Sequence, residues 1–311
     1  MDDRYLIERF NGAISFLPEQ IKETLLSLPN DLKTNANEIR LRVGKEISLS
    51  IKDREYRLSD LKLRTVIINK YIIENSFNRL CEFSVYSHQT EINNGFITLY
   101  GGHRVGICGT FIYENGKIKN IRDISSLNIR ISKEFIGISE NIIKYAKDGL
   151  LIAGPPSAGK TTYLRDAVYE VSKTLSVAVI DSRGEICAVK NGVAENRTGS
   201  FCDILNLAKK ADGIEFAIRT LNPKIIAFDE ITDINEAELI ERSANSGVNF
   251  ILTLHIGNSD DLYFNKLSRK LFLCGAVKFA AVLDRNRNVS VYRVDLKSDS
   301  EFQLQAVDYN D

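Results

Sequence analysis

The run Leu150-Leu-Ile-Ala-Gly154-Pro-Pro-Ser-Ala-Gly159-Lys160-Thr161-Thr162 decides how this chain is read. Four apolar residues, Leu150 to Ala153, suit a buried strand. Gly154, Gly159, Lys160 and Thr161 then occupy every fixed position of the phosphate-binding loop. Tyr163 to Val171 continue as an amphipathic helix. Strand, glycine loop and helix, in that order, are the context the motif requires. At an average glycine usage of about 7%, chance would supply those four positions in roughly 1% of chains this long.

The chemistry asks for these residue types. Glycine accepts backbone geometry that a side chain would block. The loop's N–H groups and the helix N-terminus then point at an anion. Lys160 brings positive charge to the β- and γ-phosphates, and Thr161 brings a hydroxyl to magnesium. The expected binding site for ATP with Mg2+ is therefore Gly154, Pro155, Pro156, Ser157, Ala158, Gly159, Lys160, Thr161 and Thr162.

The chain has 311 residues, 44% of them hydrophobic and 26% charged, as in an ordinary globular protein of about two domains. Forty-one basic residues balance forty-one acidic ones, so no global field holds a nucleic acid or an anionic membrane. Five scattered cysteines (Cys81, Cys108, Cys187, Cys202, Cys274) have no C-x-x-C spacing, and reduced, mostly buried thiols are expected. The opening Asp2-Asp3-Arg4 leads into no apolar core, so no signal peptide is expected. No stretch approaches the ~20 apolar residues of a membrane span.

Along the chain, Tyr5, Leu6, Phe10, Ile14 and Leu17 keep helical spacing, and Gln20 to Leu28 repeats it up to Pro29. Strands are expected at Glu38–Val43 and Ile47–Ile51, where residue character alternates. The spacing predicts a helix over 62–85. From Gly95 a meander follows: Phe96–Tyr100, then Arg104–Ile112, then Asn115-Gly116 as a hairpin turn and a return strand from Lys117. Residues 1–132 are thus expected to form a smaller α+β N-terminal domain. From there strands alternate with helices, the pattern of a parallel sheet, and residues 133–311 are expected to form an α/β domain. Its apolar runs Leu150–Ala153, Val177–Ile180, Lys224–Phe228 and Phe250–Leu254 each end at a polar residue or the loop. Those ends should cluster at the sheet edge where ligands bind.

Three of these ends carry candidate chemistry. Asp229 and Glu230 close the third run. An acid there helps hold magnesium and a second accepts a proton from the attacking water, so Asp229 is assigned to the metal and Glu230 to the water. His255 closes the fourth run, either as a sensor of the γ-phosphate or simply as a polar strand end. Asp181-Ser-Arg-Gly-Glu185 closes the second; its acids, Glu185 among them, either arrange water or magnesium or form a charged loop. Arg219 either reaches phosphate or a neighbouring subunit, or pairs with Glu215. Arg104 and Arg130 either neutralise transition-state charge on a neighbouring subunit or make surface ion pairs.

Several less common segments carry a family resemblance: Glu38-Ile-Arg-Leu-Arg-Val-Gly44, Gly101-Gly-His-Arg-Val-Gly-Ile-Cys-Gly109, Ile124-Ser-Ser-Leu-Asn-Ile-Arg-Ile131, and Lys210 to Pro223 leading into Asp229-Glu230. With the phosphate loop, these resemble the stage III sporulation protein AA family of endospore-forming bacteria. That family in turn is similar to the ATPases of type II and type IV secretion and pilus machines. The resemblance implies a RecA-like P-loop core and a homo-hexameric ring. Asp181–Glu185 correspond to the acidic box, Ile225–Glu230 to Walker B, Thr253–His255 to the histidine box, and Arg104 and Arg130 to first-domain arginines that approach nucleotide. Ser182 stands where the family usually carries an acid, the histidine box is short, and Phe228 is bulkier than usual. The resemblance further implies a cytosolic ATPase of the mother cell that powers or assembles the channel to the forespore. Its partners would be membrane subunits, stage III sporulation protein AB and relatives, with the membrane reached only through them and no nucleic acid expected. Two rival classes remain: a RecA-like nucleic-acid motor, against which the neutral charge counts, and a nucleotide-gated scaffold with little turnover.

Overall fold

The computed structural model describes residues 3–52, 54–244, 247–298 and 300–307, and of Lys117 the backbone alone. Asp2, part of the charged opening, lies outside the described residues. The helices are α1 (Asp3–Ala13), α2 (Glu19–Leu26), α3 (Asn30–Asn35), α4 (Lys70–Leu80), α5 (Gln89–Asn93), α6 (Lys160–Val171), α7 (Lys210–Phe216), α8 (Ile234–Ala244), α9 (Asp261–Phe264) and α10 (Lys266–Leu273). The strands begin with β1 (Ala36–Arg42), β2 (Ser48–Ile51), β3 (Arg54–Arg57), β4 (Phe96–Thr98), β5 (Arg104–Glu114) and β6 (Lys117–Arg130). They continue with β7 (Leu150–Gly154), β8 (Val177–Asp181), β9 (Val189–Lys190), β10 (Val193–Ala194), β11 (Cys202–Asn206), β12 (Ile225–Phe228), β13 (Asn249–His255), β14 (Phe279–Leu283), β15 (Val289–Ser298) and β16 (Glu301–Ala306). The chain divides into two compact units, Met1–Lys133 with Ala188–Glu195, and Glu134–Cys187 with Asn196–Asp311. The segment 188–195 thus packs with the first unit, although in sequence it interrupts the second.

In the first unit a six-stranded sheet runs β3-β2-β1-β6-β5-β4, with every neighbour antiparallel. Its logic is the two-residue period of a strand. In β1, Ile39 and Leu41 are fully buried, while Glu38, Arg40 and Arg42 on the other face are only partly covered. Phe10, Ile14, Leu17, Ile21 and Leu25 join the sheet's apolar residues in one core. Asn115 and Gly116 both have positive φ, 52° and 74°, and turn β5 into β6, the conformation that a tight hairpin needs. β6 runs on to Arg130 and so includes the Ser-Leu-Asn-Ile-Arg block.

The helix expected over 62–85 is confined to α4. Thr65, Val66, Ile67 and Ile68 are β-branched and favour extended backbone. Ile68 is tied to the β1–β2 turn instead: Gly44 N–H donates to its carbonyl at 2.7 Å, and its own N–H donates to Lys45 O at 2.9 Å. Asn69 then caps α4 by accepting from Ile72 N–H at 2.9 Å. The strand expected at Phe96–Tyr100 stops at Thr98, and Tyr100–Gly102 forms a 3-10 turn.

In the second unit an eight-stranded sheet runs β11-β8-β12-β13-β7-β14-β15-β16. β11 to β14 pair parallel, and β14–β15 and β15–β16 pair antiparallel. β7, β8 and β12 are buried along their whole length, which is why they read as unbroken apolar runs. β11 and β14 to β16 extend the sheet beyond the four expected runs. β11, Cys-Asp-Ile-Leu-Asn, is half polar because it lies at the edge. α6 is tied to the segment preceding β7 through Asp166, a buried carboxylate that accepts from Gly137 N–H, Ser139 N–H and Ser139 Oγ at 2.7–2.9 Å.

Of the five thiols, Cys81 and Cys187 are buried, Cys202 and Cys274 are half-buried, and Cys108 is exposed. Burial is therefore less general than expected. Among the described residues no helix is long and apolar enough to cross a membrane.

Candidate active site

The register of the parallel strands lines up their ends. Phe228 pairs with both Ile180 and Leu252, and His255 pairs with Gly154. Asp181, Asp229-Glu230, Thr253–His255 and the phosphate loop therefore meet at one edge.

The loop leaves β7 at Gly154, where φ is +155° and an added Cβ would stand 2.6 Å from Leu283 O. Gly159, at φ +100°, is the N-cap of α6 and has open space where a Cβ would be. Pro155 and Ala158 are buried, Pro156 and Ser157 are exposed, and Thr161 and Thr162 are half-buried on the first turn of α6. Lys160 is buried within the loop. Its Nζ donates to Gly154 O at 2.9 Å, Pro155 O at 2.8 Å and His255 Nδ1 at 3.0 Å. An ammonium has three protons, and three acceptors are present. Burial lowers the Lys160 pKa, and the Asp229 and Glu230 carboxylates oppose that shift.

Thr161 Oγ1 donates to Asp229 Oδ2 at 2.7 Å. The other Asp229 oxygen accepts from Thr253 Oγ1, and that same hydroxyl accepts from Glu230 N–H at 2.7 Å. Thr253 is fully buried and joins the two acids through one oxygen. The resemblance places it in the histidine box without giving it a role of its own. The signal in the sequence is a lone hydroxyl in an otherwise apolar strand.

Glu230 has a left-handed backbone, φ +57°, which is uncommon for a residue with a side chain. Polar contacts surround it. Its carbonyl accepts from Lys210 Nζ, its Oε2 accepts from Arg183 Nη1 at 2.8 Å, and its Oε1 lies 3.5 Å from His255 Nε2. Lys210 and Arg183 are two further residues that sequence reading left without a role here. A cleft of about 600 Å³ opens beside the loop, lined by Pro155, Pro156, His255, Phe264 and Arg285 among others.

At the second strand end, Asp181 turns its carboxylate into its own loop. Oδ1 accepts from Glu185 N–H at 2.7 Å, and Oδ2 accepts from Ile186 N–H at 3.1 Å and Cys187 N–H at 2.8 Å. The acid shapes its own loop. Glu185 is half-buried, and its carbonyl accepts from Arg165 Nε at 2.6 Å.

The residues fit a magnesium nucleotide. With its proton on Asp229, the Thr161 hydroxyl leaves its lone pairs for a cation. Among the described residues no group of three or more His, Cys, Asp or Glu forms a metal cage. Magnesium in nucleotide sites is held by one or two protein oxygens together with phosphate and water, so no cage is required.

Residues 9–291 match the model of the family described as sporulation stage III, protein AA. The chain belongs to that family. Stage III sporulation protein AA of Bacillus subtilis (strain 168) is 31% identical over 263 residues, which cover 81% of this chain and 83% of that protein. Among solved structures, the fold is similar to the pilus retraction motor PilT with bound ADP (TM-score 0.57, 15% identity, 93% of this chain and 82% of that one). It is also similar to the ATPase DotB of Yersinia pseudotuberculosis (TM-score 0.56, 16% identity, 92% and 78%) and of Legionella pneumophila (TM-score 0.53, 15% identity, 88% and 76%). The fold is therefore similar to that of PilT and DotB.

The family match includes the first-unit arginines. Arg104 and Arg130 face each other in register on β5 and β6. The Arg104 guanidinium lies 4.3 Å from the Phe96 ring centroid, and Arg130 Nε lies 3.4 Å from Glu38 Oε1. Both belong to the first unit. Arg219 is exposed on the π-helical turn Ala217–Leu221.

Proposed function

We propose that this chain is a magnesium-dependent ATPase with a RecA-like core, whose turnover powers or assembles the channel between mother cell and forespore. The observation that carries the reading is the Thr161 Oγ1–Asp229 Oδ2 contact of 2.7 Å, made beside Lys160 and bridged by Thr253 to Glu230. Family membership supports the sporulation setting, and the fold shared with DotB and PilT supports a nucleotide-driven machine.

Gly154 to Thr162 cradle the phosphates, and Lys160 binds the β- and γ-oxygens. Thr161 and Asp229 hold magnesium, which supplies the charge that offsets the phosphate oxygens. Glu230 orients the attacking water and accepts its proton. His255, between Lys160 and Glu230, senses the γ-phosphate, and Glu185 holds its loop near the site. Arg104 and Arg130 act on the nucleotide of a neighbouring subunit in a homo-hexamer. The ring works in the mother-cell cytoplasm and reaches the membrane through subunits such as stage III sporulation protein AB. No nucleic acid takes part.

Phosphate release from Mg·ATP, measured together with the binding of a fluorescent ATP analogue, tests this. Glu230→Gln should lower turnover about a hundredfold or more and leave binding in place. Lys160→Ala should weaken binding by about 10–100-fold, since it removes charge-assisted hydrogen bonds. Unchanged phosphate release in Glu230→Gln, with binding lost in Lys160→Ala, would make the chain a nucleotide-gated scaffold instead.

A further inference from the structure

Four polar side chains form a line through the site. Lys160 Nζ donates to His255 Nδ1 at 3.0 Å. A ring nitrogen that accepts is unprotonated, so the imidazole proton sits on Nε2, 3.5 Å from Glu230 Oε1. The other carboxylate oxygen, Oε2, accepts from Arg183 Nη1 at 2.8 Å. Phosphate competes for the lysine at one end of this line. At the other end stands an arginine on the loop that Asp181 shapes.

We infer that Arg183 is a positioning residue that restrains Glu230 in the nucleotide-free protein, and that nucleotide binding loosens this restraint through Lys160 and His255. The inference rests on the reading of Glu230 as the residue that orients water. A carboxylate paired with a guanidinium has one oxygen occupied and is held in one orientation. The pair is easily opened. Arg183 keeps 64% of its side-chain surface in solvent, and exposed ion pairs are weak. When the Lys160 ammonium turns to phosphate, His255 loses its donor. The ring is then free to change its contact with Oε1, and Glu230 can leave Arg183. The leash is therefore opened at the expense of nucleotide affinity, because it exists only while no nucleotide occupies the loop. Arg183 is exposed, so its replacement leaves the core intact.

Steady-state Mg·ATP hydrolysis by the full chain tests the restraint. Arg183→Ala should lower KM about two- to fivefold, the gain expected when binding no longer has to open one exposed pair, with kcat within about twofold. Arg183→Lys should return KM toward the parent value, because an ammonium still pairs with the carboxylate. An unchanged KM, or a fall in kcat of about tenfold or more, would overturn the inference; the fall would make Arg183 an aid to the water-orienting geometry. Amide exchange at Glu185, Ile186 and Cys187, whose N–H groups Asp181 holds, gives a readout that needs no turnover. Exchange should be faster in Arg183→Ala than in the parent chain. ADP with magnesium should raise it in the parent chain and not further in the variant. Equal exchange in both nucleotide-free chains overturns the restraint, and no response to ADP in a chain that binds it overturns the link to nucleotide. A parent chain that hydrolyses nothing yet shows these exchange differences would sink the proposed ATPase while keeping the restraint.

Discussion

Thr253 illustrates how much one atom can organise. Its Oγ1 accepts from Glu230 N–H and donates to Asp229 Oδ1, so the two adjacent acids are set relative to each other by a single hydroxyl. Thr253→Val keeps the shape and removes that oxygen. A buried N–H left without its acceptor costs about 1–3 kcal/mol. Glu230 already holds a left-handed backbone, which costs of order 1–3 kcal/mol and persists only while its surroundings enforce it. Thr253→Val should therefore lower ATP turnover about tenfold or more in a chain that still folds, and Thr253→Ser should keep most of the activity. Phosphate release and a thermal melt on both variants separate a lost site from a lost fold. Equal activity in all three chains would remove Thr253 from the site.

The elements around His103 carry a pH dependence. The residue lies between the Tyr100–Gly102 turn and β5, is fully buried, and accepts from Ser132 N–H through Nδ1 at 3.0 Å. Burial, and secondarily the nearby Arg9 charge, lowers its pKa from 6.5 to about 3. A histidine held neutral in the fold stabilises the protein above the unfolded value of about 6.5. Below it, the unfolded chain binds a proton that the folded chain refuses, and stability falls by about 1.4 kcal/mol per pH unit until about pH 3. Urea unfolding at pH 7 and pH 5 should show a loss about 2 kcal/mol smaller in His103→Gln than in the parent chain. Equal losses would mean that this ring does not set the dependence. At this scale the sequence was most legible where pattern and surroundings agree. β7, β8, β12 and β13 are apolar because both faces are covered. β11 was missed because an edge strand keeps polar residues. The start of α4 was misplaced because the backbone before it pairs with the β1–β2 turn.

For the molecule as a whole, the question is what the two units do together. Ala188–Glu195 continues directly from the loop of Asp181 and Arg183, yet it is built into the first unit. There Lys190 Nζ meets Glu82 Oε1 at 2.6 Å and the Tyr100 ring at 4.1 Å, and Glu195 accepts from Gly101 N–H at 2.5 Å. The chain thus crosses between the units at this segment as well as near residue 133. The proposed ring gives a test at this scale. If Arg104 and Arg130 act on a neighbour's nucleotide, Arg104→Ala with Arg130→Ala should cut turnover about a thousandfold. Mixing that chain with Lys160→Ala should restore measurable turnover, because each supplies what the other lacks. Mass measurement with and without ATP should show the shared assembly. A monomer under every condition, or no recovery on mixing, would exclude the role in trans.

The sequence by itself determined the phosphate loop, the four central strands, the two acids after Phe228 and the family, because each is written in residues adjacent along the chain. Only the tertiary structure decided what surrounds Glu230. Thr253 is 23 positions away from it and Arg183 is 47 positions away, and strand register brings them within hydrogen-bond reach. It likewise showed Asp181 holding three N–H groups of its own loop, and assigned residues 188–195 to the first unit. The same stretch that opened the reading, Leu150 to Thr162, shows the division. Its motif named Lys160 for phosphate, while the fold supplied the carbonyls and the histidine that hold the amine. Local pattern records which residue types a site needs; partners far apart in the chain meet only once the sheet is assembled.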